Sequence, residues 1–104
     1  MMELKPVYIN NHPFTAITVN LPHTTLLVIA NDKGYVMCGA LDVDLLNDKL
    51  ADRPIIAGRA IGVKTIEELK NAKLEKVTHA SKLRGWAPGM PVKEALLMLT
   101  KPNI

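Results

Sequence analysis

The amino-acid sequence predicts an α+β fold: a single domain over residues 1–104, with a mostly antiparallel sheet and about three helices packed on it. In the first third of the chain, short apolar or alternating runs are separated by turn residues, which is typical of β-hairpins. From residue 42 onward, apolar residues recur at three- and four-residue spacing between further short strands, which indicates helices.

The first predicted hairpin consists of strands over 4–9 and 14–21, joined by a turn at 10–13. The two asparagines, the histidine and the proline of that segment favour turn conformations. The second strand alternates apolar and polar residues: Ile17, Thr18, Val19, Asn20 and Leu21. This period of two predicts a strand with one buried face, near an edge of the sheet.

A second hairpin is predicted from the apolar runs 26–30 and 35–38, with Asn31 to Gly34 as its turn. Because apolar residues follow one another without alternation, we expect both faces of this hairpin to be buried. Its second strand ends on the single cysteine of the chain.

The rest of the chain is predicted to alternate helices and strands. In order, these are a helix over 42–52, a strand over 55–61, a helix after Thr65, a strand over 74–80 and a helix from Pro91. Asp42 is placed to cap the first helix, and Thr65 with Glu68 has the spacing of a capping box. Proline is favoured in a first helical turn, so Pro91 marks the start of the last helix.

Composition and charge exclude several classes of protein. Hydrophobic residues make up 48% of the chain and charged residues 22%, enough to bury a core. No run approaches the roughly 20 apolar residues of a membrane span, and no signal-peptide pattern is visible. One cysteine excludes an internal disulfide, so we expect a soluble cytoplasmic protein. The net charge of +3 is spread over alternating signs, without the basic stripe of nucleic-acid binders.

Cys38 supports two interpretations. As a nucleophile it would need a base to form the thiolate, with His23 as the first candidate and His12 and His79 as others. As a small apolar residue at the end of a strand, it would be buried and inert. No pair of His, Cys, Asp or Glu has a metal-ligand spacing, so we expect no metal, and nothing indicates a cofactor.

Two strand-to-helix junctions, at Gly39 and Gly62, predict a site for a small anionic ligand, because unpaired backbone N–H groups at such junctions attract anions. Arg59 and Lys64 flank the second junction and would add positive charge. The segment does not match the phosphate-binding loop of nucleotide hydrolases, which has four residues between its glycines and a lysine directly after the second. In the alternative interpretation, Arg59 pairs with an acidic neighbour and Lys64 is solvated.

Two further features are hydrophobic. Leu97 and Met98 widen the apolar stripe of the last helix beyond what one sheet face covers. Together with the doubly apolar second hairpin, this predicts a homo-oligomer, most simply a dimer. Trp86 lies among glycines and prolines, where it would either cover a pocket or plug the end of the core.

Four parts of the chain resemble a known family: residues 21–27, 34–42 and 57–69, and Gly89-Met90 with Glu94-Ala95-Leu96. Together they are similar to the YunC-like family of small bacterial and archaeal proteins. The resemblance implies a compact α/β protein of the prokaryotic cytoplasm. The family is a domain of unknown function, so the resemblance implies no catalytic residue. The residues themselves favour a binding module for a small anion over a cysteine-dependent enzyme or a structural subunit of an oligomer.

Overall fold

The computed structural model describes residues 2–48 and 54–100. The strands are β1 (Met2–Ile9), β2 (His12–Leu21), β3 (Thr24–Ala30), β4 (Tyr35–Met37), β5 (Ala57–Arg59) and β6 (Lys76–Val77). The helices are α1 (Val43–Asp48), α2 (Ile66–Lys70), α3 (His79–Leu83) and α4 (Val92–Met98). This confirms the predicted α+β class, with four helices in the described residues instead of about three.

The six strands form one sheet in the order β1-β2-β3-β4-β5-β6. Neighbours are antiparallel except for β4 and β5, which run parallel. Both predicted hairpins are present. The first turns at Asn10 and Asn11, whose φ angles of 49° and 68° are ones that asparagine tolerates. In the second, the Asn31 N–H donates to the Gly34 carbonyl at 3.0 Å.

The connection between β4 and β5 explains their parallel pairing. Parallel neighbours need a crossover, and α1 lies within this one. The Asp42 carboxylate accepts a hydrogen bond from the Leu45 N–H at 2.9 Å, which is the predicted cap. The helix predicted over 42–52 is observed as far as Asp48, and the rest of that prediction lies outside the described residues.

The helices divide the sheet into two unequal sides. Helices α2 and α4 and the segment around Trp86 pack on one side, which we call the helical side. The core there includes Ile29, Val36, Leu69 and Leu96, each at most 1% exposed. Helix α1 packs on the other side, where it covers only the region of β4 and β5. We call this second side the open side.

The strand predicted over 74–80 is largely wrong, because only Lys76–Val77 pairs with β5 and a helix begins directly afterwards. The Thr78 hydroxyl accepts the Ser81 N–H at 3.3 Å and so caps α3. The Ser81 hydroxyl accepts the Ala57 N–H at 2.9 Å and donates to the Ala57 carbonyl at 3.1 Å. Side chains of α3 therefore satisfy the backbone of β5 where β6 has ended.

The alternation predicted for β2 is present, but its apolar set does not face the main core. Phe14 and Ala16 are buried on the helical side. Successive side chains of a strand point to opposite faces, so Ile17 and Val19 point to the open side, where they are half-buried. Leu21, on the same side, is exposed.

The second hairpin is likewise buried on one face, not on both as predicted. Leu27 and Ile29 lie in the core of the helical side, at 1% and 0% exposure. Leu26 and Val28 alternate with them on the open side and are half-buried. The reason is that no helix in the described residues covers β3 on that side.

The last helix exposes less apolar surface than its sequence predicts. Leu97 and Met98 are half-buried and pack against the core of the helical side. Trp86 is 2% exposed, so it plugs the core and does not cover a pocket. In the described residues, the exposed large apolar side chains of the sheet therefore lie on its open side, and α4 contributes none; Leu45, Ile61 and Leu83 are exposed elsewhere.

Candidate functional site

The two glycine junctions lie side by side, at the ends of the neighbouring strands β4 and β5. The Ala60 N–H donates to the Met37 carbonyl at 3.0 Å, which continues the parallel pairing past the ends of β4 and β5. A Cβ at Gly39 would lie 3.6 Å from Ile61 Cγ2. Gly62 has a φ of 76°, a conformation that favours glycine. The backbone therefore brings both glycines together, as the ends of parallel neighbours require.

Arg59 is held in a structural ion pair. Its Nε and Nη2 donate to the two carboxylate oxygens of Glu75 at 2.8 and 3.1 Å, and its Nη1 donates to the Leu41 carbonyl at 3.2 Å. The hydrogen bond from Arg59 lowers the pKa of Glu75. This matches the alternative in which the arginine pairs with an acidic neighbour, and Glu75 occupies the bidentate edge of the guanidinium.

Arg59 and Lys64 lie on opposite sides of the sheet. A Cβ at Gly58 would lie 2.8 Å from Leu74 Cδ2, so position 58 faces the helical side and Arg59 faces the open side. Lys64 instead lines a groove on the helical side, together with the core residue Leu27. The structure therefore does not bring the two predicted cations together around one anion.

The ion pair gives a pH prediction. Glu75→Gln is expected to lower the melting temperature at neutral pH, because it removes the ionised partner of Arg59. The folded-state pKa of Glu75 is lowered, so its stabilising effect is complete above the ordinary pKa of about 4.3 and is lost as the pH falls through the folded pKa. Thermal unfolding of both proteins from neutral pH to about pH 3 checks this. A difference that persists unchanged at the acidic end would contradict it.

A groove on the helical side lies between strands β1 to β3 and the start of α2. Its volume is about 680 Å³, within the range of small-molecule sites. Its lining includes apolar residues (Val7, Leu27, Ile66), uncharged polar residues (Thr18, Asn20, Thr25, Thr65) and charged residues (Glu3, Lys5, Lys64, Glu67, Lys70). This combination of apolar walls with a few polar groups can hold a small amphipathic molecule.

The acidic residues of the groove are paired, and one cation is left over. Lys5 lies 3.6 Å from Glu3, and Lys70 lies 3.2 Å from Glu67. The hydrogen bond from Lys70 is the main cause of a lowered pKa at Glu67. Among residues 2–48 and 54–100, Lys64 has no ion pair. Three lysines against two glutamates give the groove a net charge of +1, which Lys64 supplies.

Local sequence fixes the backbone at Lys64. The Thr65 hydroxyl accepts the Glu68 N–H at 3.1 Å and so caps α2. The Glu68 carboxylate accepts the Lys64 N–H at 2.7 Å. The predicted capping box is therefore formed, but its return hydrogen bond reaches one residue further back than the usual pattern. It holds the main chain of Lys64 and leaves the ammonium group exposed.

Cys38 has the surroundings of a structural cysteine. It is 7% exposed, and its Sγ accepts the Leu27 N–H at 3.4 Å. The same sulfur lies 4.0 Å from the Thr25 carbonyl oxygen. Its hydrogen-bond partners are therefore backbone groups of β3, not a general base.

The three histidines do not form a catalytic group with Cys38 in the described part of the chain. The strand directions place His12 and His79 at one end of the strands and Cys38 at the other end. His23 lies at the same end of the strands as the cysteine, in the β2–β3 turn. Its φ is 60°, and the residue is exposed. No hydrogen bond joins His23 to the sulfur. Within the described ranges, no group of three His, Cys, Asp or Glu residues could hold a metal ion.

Lys64 can be identified from the sequence, but the groove around it cannot. The signal was present in β2, where Thr18 and Asn20 alternate with apolar residues. A polar set in an alternating strand normally indicates the solvent side, but here it faces the helical side beyond the end of the core. Residues of β1 and α2 are far apart in sequence, so no local pattern could bring them together.

Comparisons with known proteins agree with this fold. The family model for the domain of unknown function DUF1805 matches residues 37–99. Over 101 residues the chain is 54% identical to the uncharacterized protein YunC of Bacillus subtilis (strain 168), covering 97% of this chain and 100% of that protein. The structure is similar to the crystal structure of TA1206, a protein of unknown function from Thermoplasma acidophilum. That match has a TM-score of 0.83 at 29% identity, covering 95% of this chain and 93% of the other.

No helix in the described ranges is long and apolar enough to cross a membrane.

The resemblance carried by the four sequence segments is confirmed by a family match over more than half of the chain and by a relative that aligns over nearly all of it. The chain therefore belongs to the DUF1805 family, a domain of unknown function.

Proposed function

We propose that this protein binds a small anionic ligand in the groove between β1 to β3 and α2, with Lys64 pairing with the negative charge. The main support is Lys64, which lines a groove of about 680 Å³ and has no ion pair among the described residues. An anion there would gain a charge-assisted hydrogen bond, and the Thr18 hydroxyl could donate to it. Val7 and Leu27 would contact an apolar part of the same molecule.

This site keeps the junction at Gly62 and Lys64 but moves away from Gly39 and Arg59. Arg59 is occupied by Glu75 and faces the other side of the sheet. The lining therefore favours a metabolite with one carboxylate or phosphate and an apolar part. The cysteine-dependent reaction has no comparable support, because Cys38 is buried with backbone partners.

Thermal-shift screening of phosphorylated and carboxylated metabolites tests the proposal. A ligand at about 100 times its Kd stabilises the folded state by about 2.7 kcal/mol, which raises the melting temperature of a domain of this size by roughly 10–20 °C. Lys64→Ala is expected to abolish the shift, because it removes the one unpaired charge. Lys64→Arg should retain most of it.

Two further variants separate the groove from other cationic positions. Lys82→Ala removes an exposed lysine of α3 outside the groove and should leave the shift unchanged. Arg59→Ala, compared with its own unliganded melting temperature, should also keep the shift. Loss of the shift in Arg59→Ala but not in Lys64→Ala would place the ligand on the other side of the sheet and refute the groove.

A further inference from the structure

The open side of strands β1, β2 and β3 presents a continuous apolar surface. The register places six residues there in two rows: Leu4, Ile17 and Val28, and Met2, Val19 and Leu26. Residues directly opposite each other in antiparallel strands share a face, so each row forms one stripe across the sheet. We call these six residues the apolar sheet face.

The β1 part of this face is not covered by its own chain, whereas its four residues on β2 and β3 are half-buried. Met2 is 64% exposed and Leu4 is 58% exposed. Helix α1 packs at the other end of the sheet, beside β4 and β5. Strand β1 is an edge strand, and residues 2–6 are exposed throughout.

The charge distribution identifies the kind of partner. No charged residue lies on the open side of β1, β2 or β3, whereas Glu3 and Lys5 lie on the helical side of β1. Nucleic acid or an acidic peptide would find no charge to pair with there. A twofold interface sets the same patch against itself, and an uncharged patch does this without like-charge repulsion.

The exposed apolar side chains supply more than half of the area that a dimer interface needs. Taking roughly 200 Å² for a whole large side chain, Met2, Leu4, Tyr8 and Leu21 together leave roughly 450 Å² open on this side. A standard interface buries about 800 Å² on each partner. These four residues supply more than half of that area, before the half-buried residues of the two rows are added.

We propose that a second copy of this chain covers the apolar sheet face, forming a twofold dimer in which the two sheets pack face to face at about 10 Å. The groove lined by Lys64 lies on the opposite side of each sheet, so both grooves stay accessible in the dimer. The inference is therefore independent of the proposed ligand.

Sedimentation velocity at micromolar concentrations tests the dimer. The wild-type protein is expected to sediment with an apparent mass twice the 11.4 kDa of one chain. Leu4→Lys should sediment as a monomer, because two lysines would be buried at the interface without partners. Glu3→Lys is the matched control: it adds a lysine one residue away in the same strand, on the helical side, and should remain a dimer.

Leu4→Ser guards against a charged variant that fails to fold. It removes the apolar side chain without adding charge and should weaken dimerisation by about tenfold or more. Circular dichroism checks that each variant keeps its sheet. A wild-type monomer at these concentrations would overturn the proposal. The face would then be covered by a lipid or by another protein, not by a second copy. A dimer that persists unchanged in both Leu4 variants would overturn it too, since the contact would then lie elsewhere.

Discussion

Replacing Trp86 with alanine is expected to lower the free energy of unfolding by about 3–5 kcal/mol. The indole is 2% exposed and belongs to the core of the helical side. A Cβ at Gly58 would lie 3.2 Å from Cζ3 of the ring, so the ring packs directly on β5. Truncation would leave a cavity between the sheet and the segment that follows α3. Since small domains are stable by about 5–15 kcal/mol, urea unfolding should show a large shift of the midpoint.

Trp86→Phe is the control for this effect. It keeps an aromatic ring in the core and removes the indole N–H, which is buried without a hydrogen-bond partner among the described residues. Removing an unpaired buried donor offsets part of the lost packing, so the phenylalanine variant should be clearly more stable than the alanine variant. Equal losses in the two variants would show that the ring contributes little by packing.

The elements of this fold that the sequence predicts well are those fixed by local chemistry. Asn10 and Asn11 accept positive φ angles and close the first hairpin. Asp42 and Thr65 accept backbone hydrogen bonds at the starts of α1 and α2, where the sequence predicts their side chains to act as caps. In each case the physical cause lies within four residues, so a single sequence contains the information.

The parts that the sequence predicts poorly depend on distant partners. The period of β2 is correct, but only the placement of α2 and α4 decides that Phe14 faces the core and Ile17 does not. Helix α3 is short, and its cap residue Thr78 also hydrogen-bonds the Ile55 carbonyl at 2.6 Å, from another part of the chain. A strand pattern ending on threonine gives no sign of that contact.

The candidate site shows the same division. Lys64 is identified from the strand-to-helix junction, because the capping chemistry is local. The ion pair of Arg59 with Glu75 joins residues 16 positions apart, and it forms because β6 pairs with β5, which places Arg59 opposite Lys76, the residue after Glu75. The sequence shows that residue 59 is a charged arginine. Whether another side chain neutralises that charge depends on which strands pair in the folded sheet.

Replacing Gly34 with alanine is the second substitution with a large expected effect. A Cβ at this position would lie 2.6 Å from the Ile56 carbonyl oxygen, which is closer than real Cβ atoms come. That carbonyl accepts the Tyr35 N–H at 3.1 Å where the parallel pairing of β4 and β5 begins. The clash is with backbone, so a side chain cannot move aside to relieve it. We expect a loss of about 1–3 kcal/mol in the free energy of unfolding, measured by urea denaturation.

Gly39→Ala provides the matched control at the other end of β4. Its Cβ would meet Ile61 Cγ2 at 3.6 Å, an ordinary contact distance. Alanine also restricts the unfolded chain more than glycine does, which by itself stabilises the folded state by about 0.4–1 kcal/mol. The two substitutions are chemically identical and flank the same strand, so they should differ by at least about 1 kcal/mol. Equal effects would mean that the approach of Ile56 to Gly34 does not constrain this position.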